Sequence, residues 1–184
     1  MNDLAKMKQD EWLEADGLGG FASGTVAGIR TRRYHALLLA ATRPPAGRFV
    51  LVNGFDASVV TAKGVYALSS QLYAPDVMHP NGAARITEFK SEPWPQWVFA
   101  LEDGTQIQQE IFAVNGAAIV ALSWRLLTPD QKWSPTGKPV APSNTPVGRN
   151  PEQEPPGQGR GSSRRGDPIA PALSLRPRLS LDAS

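Results

Sequence analysis

Apolar positions in the first 127 residues recur in short runs, many alternating with polar ones, and turn residues separate the runs. Residues 21–29 (FASGTVAGI), 33–41 (RYHALLLAA) and 48–55 (RFVLVNGF) form three such runs, the second closed by PPAG at 44–47. Residues 58–70 predict a hairpin that turns at Ala62-Lys63-Gly64. Residues 73–82 (YAPDVMHPNG) read as a loop, because their prolines interrupt a hydrogen-bond ladder. Strands resume at 84–92 and form a further hairpin over 96–114, turning at Asp103-Gly104. A last strand follows Asn115-Gly116. In it Val120, Leu122, Trp124 and Leu126 share one parity, while Ser123 and Arg125 take the other. The first ten or so residues suggest a short helix. This spacing predicts an all-β chain built as an antiparallel β-sandwich.

The pattern stops at Leu127. The remaining 57 residues hold 11 of the 17 prolines and few large apolar side chains. Such a segment cannot bury enough apolar surface to offset its ordering entropy, so a disordered tail is expected over 128–184. Two readings of the tail stay open: a Pro-rich recognition segment, or the product of a frameshift in a GC-rich gene. The second is favoured. The chain then divides into an extension at 1–9, a sandwich at 10–127 and the tail at 128–184.

Charge follows the same division. Residues 1–127 carry 11 Lys+Arg and 12 Asp+Glu, and the tail carries 8 and 5. The overall net charge of +2 therefore belongs to the tail and does not describe a basic folded surface, so no nucleic-acid partner is expected. The chain has no cysteine, which excludes disulfides and thiolate chemistry and fits a cytoplasmic setting. The charged start MNDLAKMKQDEW has no apolar core of a secretory signal, and the run at 36–41 is too short to span a bilayer. No membrane association is expected.

Candidate chemistry concentrates in residues 17–41 (GLGGFASGTVAGIRTRRYHALLLAA). Gly17-Leu18-Gly19-Gly20-Phe21-Ala22 formally fits a dinucleotide-binding fingerprint. Its context does not: no buried strand leads in, no helix leads out, and no acid follows about 20 positions on. The plainer reading is a tight loop whose glycines adopt positive φ. His35 and His79 are the only histidines and lack carboxylates at ligand spacing, so no metal site and no cofactor are expected. Glu88, Glu92, Glu102, Asp103 and Glu110 are acids whose pairing a sequence cannot show. Trp94 and Trp97 are candidates for stacking on sugar rings, against the commoner reading of sheet packing.

The segment EWLEADGLGGFASGTVAGIRTRRYHALLLAA resembles the opening of bacterial and archaeal-type glycogen debranching enzymes. PPAGRFVLV, YAPDVMHPNG, FKSEPWPQWVF and NGAAIVALSWRLL extend the resemblance across residues 10–127. Asp16 departs from the usual Asn, Ala36 from the usual Gly, and Asn115-Gly116-Ala117-Ala118 from a more typical Gly-x-Asn-Thr.

The resemblance implies the N-terminal β-sandwich of an amylo-α-1,6-glucosidase. In that family a separate helical toroid carries the hydrolytic carboxylates. This chain is then expected to be a truncated N-terminal part, incomplete as a sandwich, inactive alone, and to hold no catalytic residue of the family. Its implied partners are glycogen or another α-glucan, through the full-length enzyme, and the missing catalytic domain. Gly19, Gly20, Arg32, Arg33, Tyr34 and His35 are the candidates to face substrate or that domain. The bland reading places Arg and His on the solvent face of a strand. The alternative function is a non-catalytic carbohydrate-binding module. A third is an adaptor acting through the tail.

Overall fold

The computed structural model describes residues 3–127 and the backbone of residues 172–179. A one-turn helix, α1 (Leu4–Met7), opens the chain, with the Asp3 carboxylate accepting the Ala5 N–H at 3.0 Å. Twelve strands follow among the described residues: β1 (Glu11–Ala15), β2 (Phe21–Thr25), β3 (Ala36–Arg43), β4 (Ala46–Thr61), β5 (Gly64–Ala67), β6 (Ser70–Tyr73), β7 (Val77–Asn81), β8 (Ile86–Lys90), β9 (Gln96–Ala100), β10 (Gln106–Ala113), β11 (Val120–Leu127) and β12 (Ala172–Leu179).

One sheet runs β1-β2-β3-β4-β12, with β5 also paired to β4, and a second runs β11-β10-β9-β8. β6 and β7 form a separate hairpin, and every strand pair among the described residues is antiparallel. The two large sheets pack around a shared core. Trp12, Ala57 and Val59 come from one, and Trp97, Phe99, Ile107 and Ile111 from the other. The Trp12 and Trp97 rings meet edge to face at 5.6 Å. Their indole N–H groups donate to the carbonyls of Thr25 and Val26, which ties the segment after β2 to the core. Each large side chain withdrawn from water in this way stabilises the fold by about 1.5–3 kcal/mol. The all-β antiparallel sandwich expected from the spacing is the observed architecture.

Val120, Leu122 and Trp124 lie on the core side of β11, as their parity predicts, and Leu126 at the strand's end is exposed. The hairpin turn at Asp103-Gly104 is also where the spacing puts it.

Four elements differ. β1 was not among the expected strands. Its alternation is carried by one buried residue, Trp12, between exposed neighbours. Residues 48–61 form one long strand rather than two: Gly54 keeps its pairing with Arg178, and the register shifts past Asn53 instead of turning the chain. The expected loop at 73–82 contains β7. Pro80 is tolerated there because a two-stranded hairpin leaves one edge without ladder bonds. Finally, within the segment expected to be disordered, the backbone of residues 172–179 pairs with β4 from Val52 to Val60. The rest of that segment lies outside the described residues.

Candidate functional site

The sequence candidates fall at two neighbouring places, the loop joining β1 to β2 and the turn leading into β3. The β1/β2 register sets Glu11 opposite Thr25, Leu13 opposite Ser23 and Ala15 opposite Phe21. Residues 16–20 close this hairpin. The buried Asp16 carboxylate accepts the N–H groups of Leu18 at 2.7 Å and Gly20 at 2.9 Å. The Asp16 carbonyl accepts Gly116 N–H at 2.7 Å, which ties the loop to the β10–β11 connection.

Gly19 has φ +96°, and a Cβ there would lie 2.8 Å from the Pro45 backbone. A Cβ on Gly20 would lie 2.3 Å from Asp16 Oδ2 and 2.6 Å from the Leu39 carbonyl oxygen. These glycines are therefore required by close packing of three chain turns.

The turn is organised differently. Residues 32–34 do not belong to β3, which begins at Ala36, so strand alternation does not govern their side chains. His35 N–H donates to the Arg32 carbonyl at 3.1 Å, and Arg30 Nε donates to the His35 carbonyl at 2.8 Å. The buried imidazole accepts the Thr31 N–H on Nδ1 at 3.2 Å. Its Nε2 lies 3.4 Å from Glu11 Oε1, the oxygen that also accepts a short hydrogen bond from Arg32 Nε. Neutral His35 therefore carries its proton on Nε2, directed at Glu11.

Burial pushes the His35 pKa down, Glu11 opposes that, and Arg32 and Arg30 reinforce it. The hydrogen bond from Arg32 holds the Glu11 carboxyl below the usual carboxylate range, and burial opposes it in part. Arg33 and Tyr34 stay exposed, the guanidinium stacked 5.6 Å above the phenol ring. A concavity of about 320 Å³ lies here, bordered by Glu11, Leu13, Phe21 and the 32–35 turn.

Of the six signature candidates, then, Gly19 and Gly20 shape the hairpin, and Arg32 and His35 are held by Glu11. Arg33 and Tyr34 face outward. Glu11 was missed as a site residue, although it opens the Glu-Trp-Leu triplet that carries part of the resemblance.

Trp94 and Trp97 are each about 3% exposed. The Trp97 ring packs on Trp12 and Phe89, and the Trp94 ring on Phe112. The structure thus puts both rings in packed surroundings rather than at a surface open to a sugar. The acids of the β9–β10 turn are engaged locally. Arg85 donates to both Glu102 oxygens, at 3.0 and 2.7 Å, and Asp103 accepts from the Thr61 hydroxyl and the Thr105 N–H. Among the described residues no group of three or more His, Cys, Asp or Glu side chains is arranged to hold a metal ion. None of the described helices is long and apolar enough to cross a membrane.

A family model described as glycogen debranching enzyme N terminal matches residues 10–138. Comparison with curated proteins and with solved structures returns no match.

Proposed function

Because this chain belongs to the glycogen debranching enzyme N-terminal family, we propose that it is the N-terminal sandwich part of an α-1,6-branch-cleaving glycoside hydrolase and is inactive alone. In this reading Arg33 and Tyr34 contact the α-glucan. The observation that supports it is the division of labour at the turn. Glu11 restrains Arg32 and His35, while the adjacent cation and ring of Arg33 and Tyr34 remain stacked and exposed. A guanidinium donates to sugar hydroxyls, and a phenol face stacks on a pyranose ring. The absence of cysteine accords with a cytoplasmic site of action.

The test is co-sedimentation of the full chain with glycogen, combined with an assay for released glucose. No glucose is expected. Arg33→Ala and Tyr34→Ala are each expected to lower the retained fraction severalfold without moving Tm. Retention equal to the parent chain in both variants would remove the α-glucan contact, and glucose release would remove the assignment of inactivity.

A second reading has the same face docking a protein domain. The 59% exposure of Leu13 on the rim favours it, because an apolar side chain there fits a protein surface better than a sugar. Under that reading glycogen retention is absent in the parent chain.

A further inference from the structure

Between the two sheets, on the core side of β1 and β2, lies a cavity of about 260 Å³. Trp12, Trp97, Phe55 and Phe99 give it apolar wall. The Trp12 and Trp97 N–H groups are bonded to the Thr25 and Val26 carbonyls, so these rings present carbon rather than a donor. Much of the polar lining is engaged by the fold itself. The Thr25 and Ser23 hydroxyls donate to the carbonyls of Ile29 and Tyr34 at 2.8 and 3.3 Å. Ser69 Oγ donates to Asp56 and accepts the Ala57 N–H, and Ser70 Oγ accepts the Ala83 N–H. The Gln71 carboxamide donates to Asp56 and accepts from the Tyr73 hydroxyl.

Two lining groups keep donors without a protein partner, and they sit at different depths. Gln109 on β10 is only 6% exposed, which places it at the floor. Its Oε1 accepts Trp124 Nε1 at 3.0 Å. An indole N–H can only donate, so this bond fixes the amide orientation. The Gln109 NH2 is left with no partner and with accessible surface. Arg30 is exposed and stands at the mouth. Its Nε donates to the His35 carbonyl at 2.8 Å, and its Nη groups make no hydrogen bond or ion pair. No Asp or Glu is among the described lining residues, so none competes within the wall for the Arg30 charge.

We propose that this cavity binds a small aromatic carboxylate that carries a carbonyl at the far end of its ring. The carboxylate takes the Arg30 guanidinium at the mouth, a charge-assisted pairing between planar groups. The ring lies along the aromatic wall. The carbonyl oxygen accepts from the Gln109 NH2 at the floor, where a buried donor gains most from a partner. The volume holds on the order of eight waters, or one substituted ring. The site lies apart from the Arg33 and Tyr34 surface and does not rest on the α-glucan reading.

The probe is 4-acetylbenzoate, titrated into the full chain by calorimetry and followed by thermal unfolding and NMR. Saturable binding with a rise in Tm is expected, and NOEs from the probe's ring protons to the Trp12 and Trp97 indoles. Two analogues of similar size separate the ends. 4-Ethylbenzoate lacks the carbonyl and 4-acetylbenzamide lacks the charge, and each should bind at least about threefold more weakly. Arg30→Gln removes the cation at an exposed position. It should weaken 4-acetylbenzoate at least about threefold and leave 4-acetylbenzamide unchanged. Gln109→Glu keeps an acceptor for Trp124 and puts an oxygen where the NH2 stood, so the preference for 4-acetylbenzoate over 4-ethylbenzoate should vanish. If that variant does not fold, the comparison of the two compounds on the parent chain decides the floor contact. The proposal is overturned by no saturable response to 4-acetylbenzoate, or by NOEs only to residues outside the cavity. Equal affinity for either analogue, or an unaltered 4-acetylbenzoate affinity in Arg30→Gln, overturns it as well.

Discussion

The 16–20 loop and the 32–35 turn stand close together in sequence, and both are candidate ligand contacts on residue type alone. The loop turns its polar groups inward. Asp16 caps two of its own N–H groups, and Gly19 and Gly20 admit the Pro45 and Leu39 backbones to distances that a Cβ forbids. The turn splits instead. One carboxylate, Glu11, holds Arg32 and faces His35, and two other side chains are left at the surface. Glycines in a signature therefore report here on backbone crowding, whereas the exposed Arg and Tyr carry what is available for recognition.

The sharpest way to break this contrast is Gly20→Ala. The added Cβ meets a carbonyl oxygen that cannot move aside, so a loss of about 3 kcal/mol and a fall in Tm of about 10 °C are expected. A Tm unchanged in calorimetry would show that the loop is loose and return it to the list of ligand sites.

Asp16→Asn tests the loop from the other side. Asp16 Oδ2 is buried without a hydrogen-bond partner, and the Leu39 carbonyl is close by. Asn keeps the acceptor for Leu18 and Gly20 and substitutes a donor for the orphan, with an expected gain of about 1 kcal/mol. Denaturant unfolding measures it, and a loss of stability would contradict the assigned geometry.

At the turn, burial holds His35 below its ordinary pKa of 6.5. The unfolded chain then binds a proton that the folded chain refuses. Stability from this source is constant above that value and is lost as pH falls through 6.5 toward the lower folded pKa. Glu11 acts in a separate, more acidic window. Its depressed pKa gives stability present above 4.5 and lost as pH falls through the folded value. Thermal unfolding of His35→Gln across this range should lack the upper slope. An identical slope in parent and variant would assign it to another group.

The smallest effect is expected for Arg32→Ala. Its side chain is 70% exposed, and its partner lies at the surface, where water and salt screen the pair. A change in Tm within about 2 °C is expected, and it should vanish in high salt. A larger, salt-insensitive fall would mean that the turn is as locked as the loop.

Much of the sheet architecture was legible in the amino-acid order. Strand parity at 120–126, the Asp103-Gly104 turn and the apolar runs at 36–41 and 96–100 are local properties, and local backbone geometry reads them directly. The signature likewise pointed to the family that matches residues 10–138. Three features were not legible. β1 depends on pairing with β2, since its own alternation rests on a single tryptophan. The 32–35 turn reads as strand from residue type and becomes a turn through hydrogen bonds among Arg30, Thr31, Arg32 and His35. For Trp94 and Trp97 the sequence leaves sugar stacking beside the commoner reading of sheet packing, and only the packing of the rings they touch decides that they lie inside.

The sequence by itself determined the strand periodicity, the turn chemistry and the family. Which polar groups are used up and which are left over was decided by the tertiary structure. Glu11 meets Arg32 and His35 because sheet register brings together residues far apart along the chain.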